Sequence, residues 1–245
     1  MKEKFAQDMA EHEVTREELL RENARLRGDL LTVAVRVSHD LRTPLGGIVN
    51  TGELLQEILR EKEPAAAAMA ESLFTSVDEM SKLIGQIRII LRATADPKPK
   101  ERVNMAEIVS GVLQRLESRV LKMQATVAEP ASWPEVDGVA DWLEIIWWNF
   151  IANALQHAGE KPKIELQGRQ EKDGFRFQVC DSGVGVPAEV RDKLFQPFDS
   201  LHRPESGWGL GLSVVQRLVD LQGGGCGCEP NPKGGSCFFF TLPAA

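Results

Sequence analysis

Apolar residues recur at helical spacing around the segment SHDLRTPL, Ser38 to Leu45. They fall three or four residues apart, at Val37, Leu41, Leu45 and Ile48. This spacing predicts one face of an amphipathic helix. His39 lies about 200° around that helix from Val37, so we expect its imidazole to point away from the apolar face. A lone exposed histidine is usually a solvated surface residue. Other motifs in the sequence are needed to assign a further role to His39.

Heptad spacing precedes this segment and predicts a parallel two-stranded coiled coil over residues 1–29. We expect one helix from Val14 to about Arg60, bent at Pro44 just after His39. A second apolar seam follows Pro64, which suits the first turn of a new helix. Its residues are Met69, Leu73, Val77, Met80, Ile84, Ile87 and Leu91.

Residues 30–95 are therefore predicted to form a helical hairpin with its apolar faces meeting. Two helices alone bury little apolar surface, so we expect two hairpins to pair as a dimeric four-helix bundle. The pattern thus predicts a homodimer.

A segment rich in proline and lysine, residues 96–100, is the predicted domain boundary. Beyond it, patterns predict helices and strands without strict alternation. The helices are expected near 105–122, 139–156 and 213–221, and the strands near Thr126, 163–167, 175–180, 225–229 and 236–241. For residues 101–245 this mixture predicts an α/β sandwich, a sheet covered on one face by helices. The predicted fold class of the whole chain is α+β.

Composition narrows the possible functions. The chain of 245 residues has a net charge of −7, and an acidic balance argues against nucleic-acid binding. The most apolar segment, residues 139–155, is interrupted by acids and asparagines, so no membrane span is expected. No signal-peptide pattern opens the chain, which favours the cytoplasm, although a fragment of a larger protein would have the same features.

The four cysteines fall in strand-like surroundings. They are Cys180, Cys226, Cys228 and Cys237. We expect free, buried thiols, as a reducing compartment maintains. Cys226 and Cys228 should share one face of a strand, and a metal or redox-sensing role is the alternative for the cysteines.

Three motifs in the second half suggest a ligand site: NFIANALQHA (149–158), DSGVGVP (181–187) and GWGLGLS (207–213). In the first, two asparagines four residues apart share one helix face. In the second, an acid at a strand end can accept a hydrogen bond from an amino group, and its glycines let a ligand approach the backbone. In the third, glycines precede a helix N-terminus, which suits phosphate. Each alone could be an ordinary turn or a polar helix face.

Together and in this order, the motifs resemble the conserved boxes of two-component sensor histidine kinases, over residues of about 30 to 243. SHDLRTPL resembles the H box, and the three later motifs resemble the N, G1 and G2 boxes of a Bergerat-type ATP-binding domain. LFQPF (194–198) resembles the F box. The resemblance implies a coiled-coil signalling helix (1–29), a dimerisation and phosphoacceptor domain (30–95), a linker (96–100) and a catalytic ATP-binding domain (101–245).

The resemblance implies a role for each matching residue. His39 would be the phosphoacceptor and Asp40 the acid that orients or deprotonates it, while Asp40 and Thr43 together would position a water. Asn153 would hold Mg²⁺ against the triphosphate of ATP, with Asn149 near the phosphates. The remaining nucleotide-binding residues would be His157, Asp181, Gly183, Gly185, Phe198, Arg203, Gly207, Gly209, Leu210 and Gly211.

Two departures from the family pattern concern the phosphates. Gln156 stands where many members carry a lysine, so a cation is either lost or supplied by His157. The predicted lid, residues 199–206, is short, and His202 and Arg203 are its only cationic candidates.

The implied function is ATP-dependent autophosphorylation of His39. Transfer to an aspartate of a response-regulator receiver domain would follow, with phosphatase activity toward that regulator. Two alternatives remain: an ATPase or serine kinase of the same superfamily, and a dimeric scaffold that binds ATP without phosphorylating histidine.

Overall fold

The structure is a computed structural model that describes residues 2–59, 64–96, 98–196 and 210–244, with side chains from residue 16 onward except 17, 34 and 64–72. The chain divides into two compact units, Met1–Pro97 and Lys98–Ala245. The first is a helical hairpin and the second an α/β sandwich. The predicted fold class is confirmed.

The first unit consists of helix α1 (Lys2–Leu59) and helix α2 (Pro64–Ala95), which pack along each other. Helix α1 begins earlier than predicted and contains Pro44. Close packing is visible at Gly52, where a Cβ atom would lie 2.6 Å from the Phe74 ring. The two helices therefore approach each other closely at Gly52, because glycine has no side chain.

Much of the apolar surface of the hairpin is exposed in the single chain. Val33, for example, has 60% of its surface accessible. Other exposed residues of the predicted seams are Leu19, Leu26, Leu30, Val37, Leu41, Ile48, Leu73, Met80 and Ile87. An apolar surface of this extent is typical of a protein–protein interface.

The second unit has four helices and seven strands among its described residues. The helices are α3 (Met105–Lys122), α4 (Ala140–His157), α5 (Ala188–Arg191) and α6 (Leu210–Asp220). The strands are β1 (Glu101–Val103), β2 (Thr126–Ala128), β3 (Val136–Gly138), β4 (Lys163–Glu171), β5 (Gly174–Asp181), β6 (Cys226–Pro230) and β7 (Ser236–Pro243). The sequence patterns did not predict β1, β3 and α5, which are too short to show a clear periodicity.

Five strands form a mixed sheet in the order β2-β4-β5-β7-β6, and β1 pairs separately with β3. Only the β2/β4 pair is parallel among these five strands. One face packs on α4 through an aromatic cluster of Trp147, Phe177 and Phe240, with ring centroids 5.0–6.2 Å apart, and α6 packs against β6 and β7. The helices therefore cover one face of the sheet, as predicted.

The segment after Pro97 is fastened to the second unit. Lys98 forms an ion pair with Asp141 in the first turn of α4. Lys100 donates a hydrogen bond to the backbone carbonyl of Gln222, at 2.6 Å. Gln222 is fully buried, and its Oε1 accepts from the Val139 amide at 2.9 Å. Most of the predicted linker is thus structured.

In the part of the chain that the structure describes, no helix is both long and apolar enough to cross a membrane.

Replacing Gln222 with leucine should destabilise the second unit. The substitution leaves the buried Val139 amide without its acceptor, which costs about 1–3 kcal/mol. The measurement is urea unfolding of the full chain, followed by tryptophan fluorescence. Gln114→Leu, at an exposed position of α3, is the control and should change stability by less than about 0.5 kcal/mol. Equal effects of the two substitutions would contradict the role given to Gln222.

Candidate functional site

His39 lies in the middle of α1, and 77% of its side chain is exposed. Its neighbour Ser38 is buried, with 5% exposure, and Leu45, further along α1, is also buried. These buried neighbours fix the helix rotation that turns the imidazole outward, as the spacing predicted. The ring is therefore accessible from solvent along the surface of the hairpin.

Asp40 contacts the imidazole of His39. Its Oδ1 lies 3.2 Å from Nδ1 of the ring, within hydrogen-bonding distance. A proton on Nδ1 would be held by this carboxylate, which leaves the lone pair of the ring on Nε2. Thr43 is also exposed, one helical turn further along α1.

The two asparagines of α4 differ in their hydrogen bonding. Asn149 donates from Nδ2 to the carbonyl of Ile145 in its own helix, at 2.8 Å. Asn153 is half-buried, and its amide has no hydrogen-bond partner among the described residues. Asn149 is therefore held partly by its own helix, whereas the Asn153 amide has no protein partner in the described part of the chain.

Asp181 ends β5 and is 5% exposed. Its Oδ1 accepts hydrogen bonds from the backbone amides of Gly183, at 2.7 Å, and Ser236, at 3.3 Å. Its own carbonyl accepts from Nδ2 of Asn231 at 2.8 Å. Oδ2 has no partner in the described part of the chain, so it is the oxygen available to an amino group.

Glycines occupy several positions around Asp181 that other residues would not fit or would adopt only with strain. A Cβ atom on Gly183 would lie 2.5 Å from the carbonyl of His157. Gly185 has a φ of +79°, which favours glycine. Gly235 has a φ of +93°, and a Cβ atom there would lie 2.2 Å from the carbonyl of Asp181.

Sequence reasoning missed three of these residues: Asn231, Gly235 and Ser236. They precede or begin β7 and reach Asp181 through the β5/β7 pairing, in which Cys180 lies opposite Cys237. The glycine pair Gly234–Gly235 signalled a turn in the sequence, but no local pattern connects that turn with a residue more than 50 positions earlier.

His157, at the end of α4, has its pKa lowered by partial burial. The charge of Asp181 opposes this shift, and the charge of Arg119 adds to it. The imidazole is consequently neutral at neutral pH in the nucleotide-free chain. It does not supply, in that state, the cation that is missing at Gln156.

Several predicted nucleotide-binding residues lie outside the described residues: Phe198, Arg203, Gly207, Gly209 and the predicted lid at 199–206. Leu210 and Gly211 form the first turn of α6, with Leu210 buried and Gly211 half-buried. In the F-box segment, Phe195 is buried and its ring centroid lies 6.5 Å from that of Phe238.

The expectation of four free thiols is wrong. Cys180 and Cys237 form a disulfide, because the pairing of β5 with β7 brings them directly opposite each other. Cys226 and Cys228 are free and share one face of β6, as predicted, opposite Phe240 and Phe238. Burial raises the pKa of Cys226 to about 12 and that of Cys228 to about 11. Over the described ranges, no cluster of three or more acidic, histidine or cysteine side chains is arranged to hold a metal.

Gly235→Ala should abolish nucleotide binding, because the added Cβ atom would displace the Asp181 backbone. Gly234→Ala is a matched control: its φ of +96° is equally unfavourable, but nothing lies within 4 Å of the added atom. Both variants should lose about 1 kcal/mol of stability or more from the backbone conformation. Only Gly235→Ala should raise the Kd for AMPPNP beyond measurement by calorimetry. Equal affinities in the two variants would refute this account of the site.

The pKa of His157 should respond in opposite directions to two substitutions. Asp181→Asn should lower it further, and Arg119→Gln should raise it, because each removes one of the charges acting on the ring. The histidine C2–H resonance, followed by NMR between pH 4 and 8, measures both shifts. Shifts in the same direction would contradict this electrostatic assignment.

The lowered pKa of His157 also has a consequence for stability. The unfolded chain takes up a proton at the ordinary value of 6.5, above the folded pKa. The contribution of His157 to the free energy of unfolding should therefore fall as the pH drops below 6.5. His157→Gln should remove this part of the loss of stability in acid.

Two family models match the chain. Residues 32–96 match the His Kinase A (phospho-acceptor) domain, and residues 138–245 match the histidine kinase-, DNA gyrase B- and HSP90-like ATPase. Both matches contain the residues described above, from His39 in the first to Asp181 in the second.

Curated relatives and solved structures share the same arrangement. The phytochrome-like protein Cph1 of Synechocystis is 30% identical over 232 residues, 92% of this chain and 31% of Cph1. The sensory histidine kinase/phosphatase NtrB of Vibrio alginolyticus is 29% identical over 224 residues, 84% of this chain and 60% of NtrB. The structure of full-length ShkA with AMPPNP has a TM-score of 0.66 at 26% identity, over 87% of this chain and 46% of ShkA.

The chain spans about a third of the length of Cph1 and less than two thirds of NtrB. What it shares with them is the pair of domains that both family models cover. With its outward-facing histidine on a helical hairpin and its ATPase-like sandwich, the chain belongs to the sensor histidine kinases of two-component systems, of which it is a catalytic core.

Proposed function

We propose that the chain transfers the γ-phosphoryl group of ATP to His39 and then passes it to an aspartate of a response-regulator receiver domain. The observation that carries this proposal is the exposed imidazole of His39 with Asp40 on Nδ1, in a chain that also has an ATPase-like domain. An exposed histidine in this context is more than a solvated surface residue.

The contact with Asp40 supports attack through Nε2 of His39. The lone pair of Nε2 forms a bond to the γ-phosphorus while the bond to the β,γ-bridging oxygen breaks, and ADP leaves. The ring acquires positive charge during this step. Asp40, 3.2 Å from Nδ1, stabilises that charge and accepts the Nδ1 proton.

The second unit would bind ATP through Asp181 and the α4 helix. Oδ2 of Asp181 would accept from the adenine amino group, while Gly183 and Gly185 shape the purine pocket. The free amide of Asn153 fits a hard cation, so we propose it as the protein ligand of Mg²⁺, whose charge would offset that of the phosphates.

The remaining contacts are proposed from the family pattern. The phosphates would meet Gly207, Gly209 and Gly211 at the start of α6. Asn149, His157, Phe198, Arg203 and Leu210 would complete the nucleotide site. The pKa of His157 is lowered in the nucleotide-free chain, and the negative charge of nearby phosphates would raise it again.

We also propose a phosphatase activity toward the phosphorylated regulator. Asp40 and Thr43 are both exposed on α1, one turn apart, where they could orient a water. The name of the relative NtrB includes both a kinase and a phosphatase, which supports the same pairing here.

We propose that the chain acts as a homodimer. The apolar residues exposed on α1 and α2 follow the predicted heptad and seam positions, so a second hairpin would bury them. In this proposal residues 1–29 form a coiled-coil signalling helix, 30–95 the dimerisation and phosphoacceptor domain, 96–100 the linker, and 101–245 the ATP-binding domain.

Incubation of the full chain with γ-labelled ATP and Mg²⁺ tests the proposal. The label should be acid-labile and base-stable, as phosphohistidine is, and His39→Ala should lose it entirely. Asp40→Asn should slow labelling by about 10²-fold or more if the carboxylate assists proton transfer. His12→Ala is the control and should label normally.

Two outcomes would reject the proposal in favour of its alternatives. ATP hydrolysis or serine labelling that persists in His39→Ala would indicate an ATPase or serine kinase. Tight ATP binding without label or hydrolysis would indicate a scaffold.

A further inference from the structure

The disulfide lies directly beside the carboxylate that we assign to adenine. Cys180 and Cys237 form the last pair of the β5/β7 ladder. Asp181 follows Cys180 in the chain and Ser236 precedes Cys237, so each cysteine is one residue from a group of the site. The Ser236 amide donates to Oδ1 of Asp181 across the same two strand ends. The covalent bond and the adenine contact therefore depend on the same strand separation.

The alternation of side chains places the disulfide on one sheet face and the free thiols on the other. Cys226 and Cys228 lie opposite Phe240 and Phe238, whose rings pack toward α4. Cys180 and Cys237 are next to residues of that face, and so point the other way. Internal exchange between the two pairs is thus blocked by the sheet. The half-buried, protonated free thiols are also poor nucleophiles.

Opening the disulfide would change the spacing of the strand ends. The Cα atoms of Cys180 and Cys237 are 4.0 Å apart, closer than the about 4.5 Å common for directly opposed residues. Reduction would remove the bond that holds these Cα atoms together, and the strand ends would relax outward by about 0.5 Å or more.

The contact that holds Asp181 has little reserve against such a movement. The distance from the Ser236 amide to Oδ1 is already 3.3 Å, at the long end of the range for a hydrogen bond. A shift of about 0.5 Å would lengthen it beyond hydrogen-bonding distance. The carboxylate would then be held through Gly183 alone, and its orientation toward a bound adenine would be less fixed.

We propose that the Cys180–Cys237 disulfide is a redox control on nucleotide affinity. In the oxidised chain it fixes Asp181 in position for adenine, and in the reduced chain ATP binds more weakly. Both cysteines are buried, at 4% and 6% exposure, so reduction requires the strand ends to open locally. The reductant is a dithiol: in the open state one of its thiolates attacks a sulfur of the disulfide, and its second thiol releases the mixed disulfide. Two electrons and two protons pass to Cys180 and Cys237, and the dithiol becomes a disulfide. This inference rests on the proposed role of Asp181 in adenine binding.

Calorimetric titration of the full chain with AMPPNP and Mg²⁺, before and after treatment with dithiothreitol, tests the proposal. Intact mass after thiol alkylation reports the redox state of each sample, and circular dichroism shows that the fold persists. We expect the Kd to rise about three- to tenfold on reduction, the effect of loosening one hydrogen bond to a charged group. Amide hydrogen exchange at Ser236 and Gly183 should accelerate at the same time.

Two double variants serve as matched controls. Cys180→Ser with Cys237→Ser should bind AMPPNP as the reduced chain does and should not respond to dithiothreitol. Cys226→Ser with Cys228→Ser should respond as the unaltered chain does. If the first pair fails to fold, the comparison of oxidised with reduced unaltered chain still decides the question.

Three outcomes would overturn the inference. One is a Kd unchanged within twofold between redox states that mass spectrometry shows to differ. Another is failure of the disulfide to form even with an oxidant present. A third is the absence of AMPPNP binding in both states, which would overturn the proposed function as well. Equal binding in both states that is weakened by Asp181→Asn would remove the redox control and leave the proposed function standing.

Discussion

The pairing of β5 with β7 is the constraint on which the second unit depends. Its register stacks Phe177 on Phe240, with centroids 5.0 Å apart, at the centre of the core. The same register brings Ser236 to the carboxylate of Asp181. Since successive side chains point to opposite faces, a slip of one residue would turn the aromatic rings out of the core and the carboxylate away from its donors. The core of the second unit and the position of the Asp181 carboxylate therefore depend on one set of backbone hydrogen bonds.

The hairpin meets a different constraint, because a two-helix unit has too few neighbours to bury its apolar residues. Burying Ser38 and Leu45 between the helices orients His39 outward. The remaining apolar seam is left for a partner. His39 is thus accessible because of the orientation of α1 about its own axis. The apolar seam is exposed because two helices cannot cover it.

The helices and longer strands were predictable because their signals are local. Hydrophobic periodicity identified α1, α2 and α4, and the strand positions around 163–167 and 175–180 lie within β4 and β5. The three-residue strands β1 and β3 were missed, although β2 of the same length was predicted near Thr126; over three residues a period of two gives only a weak signal.

The features that sequence reasoning missed depend on contacts between distant positions. The Cys180–Cys237 bond and the contribution of Gly235 both follow from the strand register, which no local pattern specified. The hydrogen bond from Asn149 to Ile145 is local, but it competes with the ligand-facing orientation that the motif suggested. The motifs predicted which residues lie at the candidate site. The fold determines which of their polar atoms are left without a partner in the protein.

The sequence of the turn between β6 and β7 is typical of an ordinary surface turn. Such turns usually tolerate insertions, since they bear little on the fold. Here Asn231 holds the Asp181 carbonyl and Gly235 packs on it without space for a methyl group. The length of this turn is consequently fixed by its contacts with Asp181, so a peptide tag or a grafted loop inserted between residues 231 and 235 would be costly.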